Sequence, residues 1–201
     1  LKKNKLYLHV FQLPANGKLY VGGLKGKIGK IYLLTDEKKQ FTSSRINVND
    51  LLINLPVKPF DTVNTVLVVE FKNELQTDSV RYVSANIPLT RLLAYDATQQ
   101  GKGFSFGDGK KDRYYVEGWK TKDQSLSWKF RTSLPCNFKV IIKYVASKET
   151  DGGIYSVAMD EFYLQHPVIY GEKNTSVITG ELENIFLPAG MHNLKIETVG
   201  I

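Results

Sequence analysis

Ser125-Leu126-Ser127-Trp128-Lys129-Phe130 alternates polar and apolar residues without a break. Successive side chains of an extended chain point to opposite faces, so Leu126, Trp128 and Phe130 share one face and Ser125, Ser127 and Lys129 the other. A one-residue slip would bury the wrong set, so the register is strongly specified. Trp128 is therefore expected in a core, on a strand of a sheet that is half covered.

The same period of two runs through most of the chain. Leu6, Leu8 and Val10 alternate with Tyr7, His9 and Phe11, which predicts a strand with both faces covered. Asn16-Gly17 is a hairpin turn signal, after which Lys18-Leu19-Tyr20-Val21 returns. Further strands are expected at Lys30–Leu34, Leu51–Leu55 and Thr65–Phe71. The polar stretch Lys72–Asp78 predicts a boundary, giving modules 1–76 and 77–201. In the second module strands are expected at Val80–Val83, Arg113–Trp119, Ser125–Arg131, Phe138–Val145, Gly153–Met159, Val177–Phe186 and Met191–Thr198. Only Leu89–Ala97 has a pattern that a short helix could adopt. The fold class is thus all-β, with two consecutive antiparallel β-sandwich modules of the jelly-roll kind.

Composition narrows the function. A 42% hydrophobic and 23% charged chain of 201 residues is that of an ordinary globular protein. No apolar run approaches the roughly 20 residues that span a bilayer, so no membrane partner is expected. The opening Leu1-Lys2-Lys3-Asn4-Lys5 leads into a strand pattern and not into a signal-peptide core. Of the net charge of +7, residues 1–75 hold +6, from 12 basic and 6 acidic residues. Those charges are scattered lysines with Arg45 as the one arginine, unlike the arginine-bearing stripe of a nucleic-acid binder. No nucleic-acid partner is expected.

Catalytic and metal signals are weak. Cys136 is the single cysteine, which excludes an internal disulfide and a cysteine metal cage. His9, His166 and His192 lack metal-ligand spacing and are expected in structural or solvated roles. The glycine-rich run Gly101–Gly109 misses the dinucleotide-binding spacing, and Gly22–Lys27 misses that of a phosphate loop. No G-x-S-x-G occurs. Asp160-Glu161 and Glu181/Glu183 are expected as turn or edge charges, and Asn174-Thr175-Ser176 is a formal glycosylation sequon. Catalytic residues: none are predicted, and no metal ligands or cofactor.

The aromatics say more. Trp119 ends a predicted strand and meets the polar turn Lys120-Thr121-Lys122-Asp123. An indole at the rim of a sandwich can stack on the C–H face of a sugar ring; it can equally fold under its loop as packing. Tyr115, earlier on the same face, would form a second wall.

Specific strings then resemble a family. Leu6-Tyr7-Leu8-His9-Val10-Phe11, Leu13-Pro14, Gly17-Lys18-Leu19, Gly22-Gly23-Leu24, Ile31-Tyr32-Leu33-Leu34, Leu55-Pro56 and Asp61-Thr62-Val63-Asn64-Thr65-Val66 occur in order. Together they resemble the region after the catalytic barrel in α-L-fucosidases of glycoside hydrolase family 29. Leu93-Ala94-Tyr95-Asp96-Ala97, Gly107-Asp108-Gly109-Lys110, Tyr115-Val116-Glu117-Gly118-Trp119, Ser127-Trp128 and Leu187-Pro188-Ala189-Gly190-Met191-His192 look like the additional C-terminal module of many bacterial members. That module is similar to carbohydrate-binding jelly rolls of families six and thirty-five.

The resemblance implies a non-catalytic accessory region, without the barrel and its two catalytic carboxylates. Its partners would be that barrel, in the same polypeptide, and a weakly held glycan or oligosaccharide at Trp119 and Tyr115. It implies a periplasmic or extracellular location. The jelly-roll families often hold a structural calcium on a Glu-x-Glu pair; here the equivalent stretch is Ala94-Tyr95-Asp96, which keeps only Asp96. A module that buttresses the barrel and binds nothing is the alternative.

Overall fold

The computed structural model describes residues 4–58, 60–61, 63–85, 87, 89–110 and 113–200. Leu1-Lys2-Lys3 of the opening segment and Thr62 of the family-like string lie outside the described residues. The chain is all-β, and it divides into two compact units, Leu1–Tyr82 and Val83–Ile201.

The first unit holds β1 (Lys5–Val10), β2 (Lys18–Val21), β3 (Leu24–Lys25), β4 (Ile28–Leu33), β5 (Asp36–Gln40), β6 (Ser43–Arg45), β7 (Leu51–Asn54), β8 (Thr65–Phe71) and β9 (Gln76–Thr77). One sheet runs β1-β8-β4-β5 and a second runs β2-β7-β6. Ile31, Leu33, Leu67 and Val69 from the first join Leu51 and Ile53 from the second in one buried cluster. Strand β8 is central because its apolar run, Val66-Leu67-Val68-Val69, suits a strand buried on both faces. A turn forms at Asn16-Gly17, with the Gly17 N–H donating to the Pro14 carbonyl at 2.9 Å, but it closes no hairpin: β1 pairs with β8 and β2 with β7, so the turn carries the chain from one sheet to the other. Gly17 lies at φ +67, where a Cβ would meet the Leu55 carbonyl oxygen at 2.3 Å. Buried Asp50 is satisfied inside the unit, accepting the Gly23 N–H at 3.2 Å and the Asn47 amide at 2.8 Å.

Two strands, β5 and β6, form where no alternation was legible. Every residue of both is exposed, so they carry no apolar face to announce them. The polar stretch read as a boundary behaves differently too. Leu24↔Thr77 and Lys25↔Gln76 pair β3 with β9, and the Asp78 N–H donates to the Gly23 carbonyl at 2.8 Å. Backbone pairing thus ties residues 76–78 to the first unit, and the division falls between Tyr82 and Val83.

A short β10 (Arg81–Val83) ends at the start of the second unit, which continues with β11 (Thr98–Gln100), β12 (Ser105–Phe106), β13 (Val116–Glu117), β14 (Ser125–Thr132), β15 (Cys136–Tyr144), β16 (Ile154–Met159), β17 (Phe162–Pro167), β18 (Ile178–Leu187) and β19 (Gly190–Gly200). Within it β14, β19, β16 and β17 lie side by side, β11 pairs with β14, and β15 pairs with β18 as a separate two-stranded sheet. The core between them contains Leu126, Trp128 and Phe130 of β14 with Val157, Met159, Leu182, Ile185 and Leu194. Those three β14 residues occupy the register the alternation demanded, with Trp128 opposite Leu194. Ser125, expected to face outward, is buried beside the fully buried Gln124. The stretch Leu89–Ala97 makes only a 3-10 turn at Ala94–Asp96. The long strand expected at Arg113–Trp119 reduces to Val116–Glu117, which pairs with Ser105–Phe106 as a separate two-stranded hairpin and is ended by Gly118 at φ +89.

Candidate functional site

That hairpin is built from the neck outward. Gly103 and Gly118 face each other at φ +93 and +89, and a Cβ on Gly118 would lie 2.2 Å from the Gly103 carbonyl oxygen. Only glycine permits this crossing. Below it sits Gln124, wholly buried, with its side-chain amide saturated. Its Nε2 donates to the Lys102 and Gly118 carbonyls, both at 2.8 Å, one from each arm of the hairpin. Its Oε1 accepts the Lys120 and Thr121 N–H groups at 2.5 and 2.9 Å. One polar side chain therefore fastens both stems to the following turn.

Beyond the neck, Ser105↔Glu117 and Phe106↔Val116 pair, and the Ser105 hydroxyl donates to Glu117 at 3.0 Å. Gly107 continues the ladder by donating to the Tyr115 carbonyl at 3.1 Å. The Arg113 carbonyl passes so close to Gly107 that a Cβ there would lie 2.1 Å from it. Tyr95, on the 3-10 turn, and Tyr114, on the hairpin, stand 6.0 Å apart between ring centroids at 30°. Tyr95, Phe106, Gly107, Asp108, Gly109 and Tyr114 line an open cleft of about 410 Å³. The three aromatic residues are 42 to 49% exposed.

The core reaches this cleft directly. Trp128 Nε1 donates to the Leu93 carbonyl at 2.9 Å, holding the segment that presents Tyr95. Asp108, also in the lining, is engaged within its own loop. Its Oδ1 accepts the Lys110 N–H at 3.1 Å, and its Oδ2 lies 3.0 Å from the Arg113 guanidinium and 3.7 Å from the Lys110 ammonium.

The two residues singled out from the sequence lie on the same hairpin, apart from the cleft lining. Trp119 is half-buried, packs on the core of the unit, and takes the edge of Phe104 at 5.1 Å and 79°. Tyr115 is exposed, and its carbonyl serves the ladder. Tyr95 and Tyr114 were not expected as site residues, because they are far apart in sequence and meet only in the folded chain. The exposed-turn glycines flanking Phe106 were the available signal.

Another cluster has the look of a nucleophile–base–acid relay. Thr132 Oγ1 lies 3.0 Å from His192 Nε2, and His192 Nδ1 lies 2.6 Å from Asp160 Oδ2. However, Thr132 and His192 are buried, and the threonine hydroxyl already donates to the Pro188 carbonyl at 2.7 Å. The cluster fastens three chain turns together. His9 is exposed, stacks beside Phe11 and meets the Asn64 amide at 3.0 Å; His166 stacks on Tyr155. Cys136 is free and half-buried. Glu181 pairs with Lys139 at 2.5 Å across the two-stranded sheet. Among the described residues no group of three or more His, Cys, Asp and Glu could hold a metal ion, and no helix is long and apolar enough to cross a membrane.

No family model matches the chain, and no curated protein matches it. Solved structures do. An alpha-L-fucosidase from Vibrio sp. strain EJY3 shares 16% identity over 96% of this chain and 33% of its own length, at a TM-score of 0.49. The Podospora anserina GH26-CBM35 beta-(1,4)-mannanase shares 18% over 54% of this chain and 24% of its own, at 0.44. A cycloalternan-forming enzyme from Listeria monocytogenes shares 9% over 92% and 18%, at 0.44. The chain spans a third or less of the length of each. At these identities and TM-scores nothing about role, substrate or ligand follows from the likeness.

Proposed function

We propose that this chain is the non-catalytic C-terminal part of a glycoside hydrolase of the α-L-fucosidase type, working outside the cytoplasm. Its first unit would scaffold the catalytic barrel of the same polypeptide, and its second would hold a glycan weakly. The observation that carries the reading is the exposed pair Tyr95 and Tyr114 over an open cleft, with Phe106 and Asp108 in its lining. Solvent-facing rings with polar groups at their edges suit the alternating C–H and hydroxyl faces of a pyranose. Trp119 and Tyr115 then lie on the same hairpin outside the cleft lining, with Trp119 stiffening the hairpin through Phe104. Scaffolding is supported by the family-like strings of the first unit and by its exposed Phe11, Val57 and Val63.

Two or three stacked rings at roughly 0.5 to 1.5 kcal/mol each, and a few solvent-competed hydrogen bonds, leave little after ordering costs. A dissociation constant in the high micromolar to millimolar range, about −4 to −6 kcal/mol, is what such a cleft supplies. The alternative, a spacer without ligand, draws on the half-buried, internally engaged ring of Trp119. Two tests decide. The full reading frame should encode an upstream (β/α)8 barrel; an unrelated neighbour removes the fucosidase assignment. The chain by itself should not hydrolyse aryl α-L-fucosides, and turnover abolished by replacing one of its carboxylates would overturn the non-catalytic reading.

A further inference from the structure

We propose that one corner of the first unit is a docking surface for an anionic polysaccharide whose charges are sulfate or phosphate esters. Lysines that lie scattered along the sequence meet there. Val69 and Phe71 of β8 belong to the buried core, so the period of two turns Glu70 and Lys72 to the other face of the sheet. Leu6 of β1 and Ile31 of β4 likewise pack inward, which turns Lys5 and Lys30 to that same face. Lys5 stands opposite Glu70, and Lys27 is held beside Lys72 because the Lys72 N–H donates to the Lys27 carbonyl at 2.9 Å.

The charges of this corner do not cancel. Glu70 is taken by Lys5 at 2.6 Å, and Glu37 lies 3.9 Å from Lys30. Among the described residues Lys27 and Lys72 have no acidic partner, although like charges at facing strand positions destabilise a sheet. Glu74, next along the chain, is offset by Lys25. Neighbouring strands lie about 4.8 Å apart, so cations on β1, β8 and β4 are spread wider than one small ion reaches, and a polymer with repeated charges fits them. An ammonium meets an oxyanion as a point charge and imposes no planar geometry, which suits tetrahedral esters. A nucleic acid would be read through arginine forks or stacking rings. Arg45, the single arginine of residues 1–75, spends its guanidinium on the Leu24 and Gly26 carbonyls.

The test is titration of the chain at low ionic strength on four immobilised dextrans, neutral, carboxylated, sulfated and phosphorylated, with duplex DNA as a fifth surface. At least one ester arm should bind about tenfold tighter than the neutral one, and the stronger arm names the ester. Lys27→Gln and Lys72→Gln should each weaken ester binding about threefold, the worth of one exposed ion pair, and neither ammonium holds a partner whose loss would unfold the chain. Glu70→Gln, which frees Lys5, should tighten binding by a similar factor, and salt should weaken it throughout. Lys143→Gln with Lys148→Gln, exposed on the second unit, should leave it unchanged; an equal loss there would reduce the effect to net charge and overturn the site. Ester arms no tighter than the neutral one would also remove the site and leave the cleft of the second unit untouched. A carboxylated arm as tight as both esters would overturn the ester assignment, and DNA bound more tightly than any dextran would overturn the polysaccharide.

Discussion

The two tryptophans of the second unit occupy opposite situations. Trp128 stands in the middle of β14, buried on a face shared with Leu126 and Phe130, its indole N–H bonded to the Leu93 carbonyl. Trp119 stands at the foot of a hairpin whose shape is set by glycines and by one glutamine, with Phe104 against its ring. In the first region the period of the strand decides the position of every side chain. In the second, hydrogen bonds between distant backbone groups decide it, and the ring that looked free is partly enclosed.

The largest expected effect belongs to the first region. Trp128→Ala should cost about 3 to 5 kcal/mol of stability, against about 1 to 2 kcal/mol for Trp119→Ala. Urea unfolding measures both, and equal costs would erase the contrast. Gln124→Ala comes next. It strands the Lys102 and Gly118 carbonyls and the Lys120 and Thr121 N–H groups, so roughly 2 to 3 kcal/mol should be lost. Hydrogen exchange should rise selectively over residues 101–124, and uniform exchange across the second unit would show that the glutamine is no local clasp.

These contrasts also explain what the sequence revealed. Strand β14 was legible because its face is half covered and its alternation unbroken. Strands β5 and β6 were not, since all their residues are solvent-facing. Tyr95 was visible only as part of a family-like string, and Tyr114 as one residue of a longer expected strand. Their meeting at 6.0 Å requires the crossing of Gly103 and Gly118, which no local pattern encodes. Gln124 gave no signal either: a glutamine before a strand usually faces water, and here four backbone groups enclose it.

A smaller effect is expected in the first unit. Lys5, with Tyr32 assisting, hydrogen-bonds Glu70 and holds its carboxyl below the usual glutamate range. A depressed carboxyl contributes stability that is complete above its unfolded pKa and is lost as pH falls through the folded value. The advantage of the unaltered chain over Glu70→Gln should therefore shrink between about pH 5 and pH 2. The pair is partly exposed, so the difference will be modest. An advantage that grows on acidification would contradict the pairing.

The smallest expected change in stability accompanies the largest in function. Tyr114→Ala removes an exposed ring and should move stability by no more than about 0.5 kcal/mol. It should still abolish saccharide binding, while Trp119→Ala reduces it only in proportion to the loosened hairpin. Backbone amide shifts of the unaltered chain and of both variants, followed by NMR through one titration with a binding oligosaccharide, compare the two positions directly. Perturbations centred on residues 95, 106–109 and 114, and lost in Tyr114→Ala, are the predicted result. Perturbations centred on Trp119 that persist in Tyr114→Ala would contradict it.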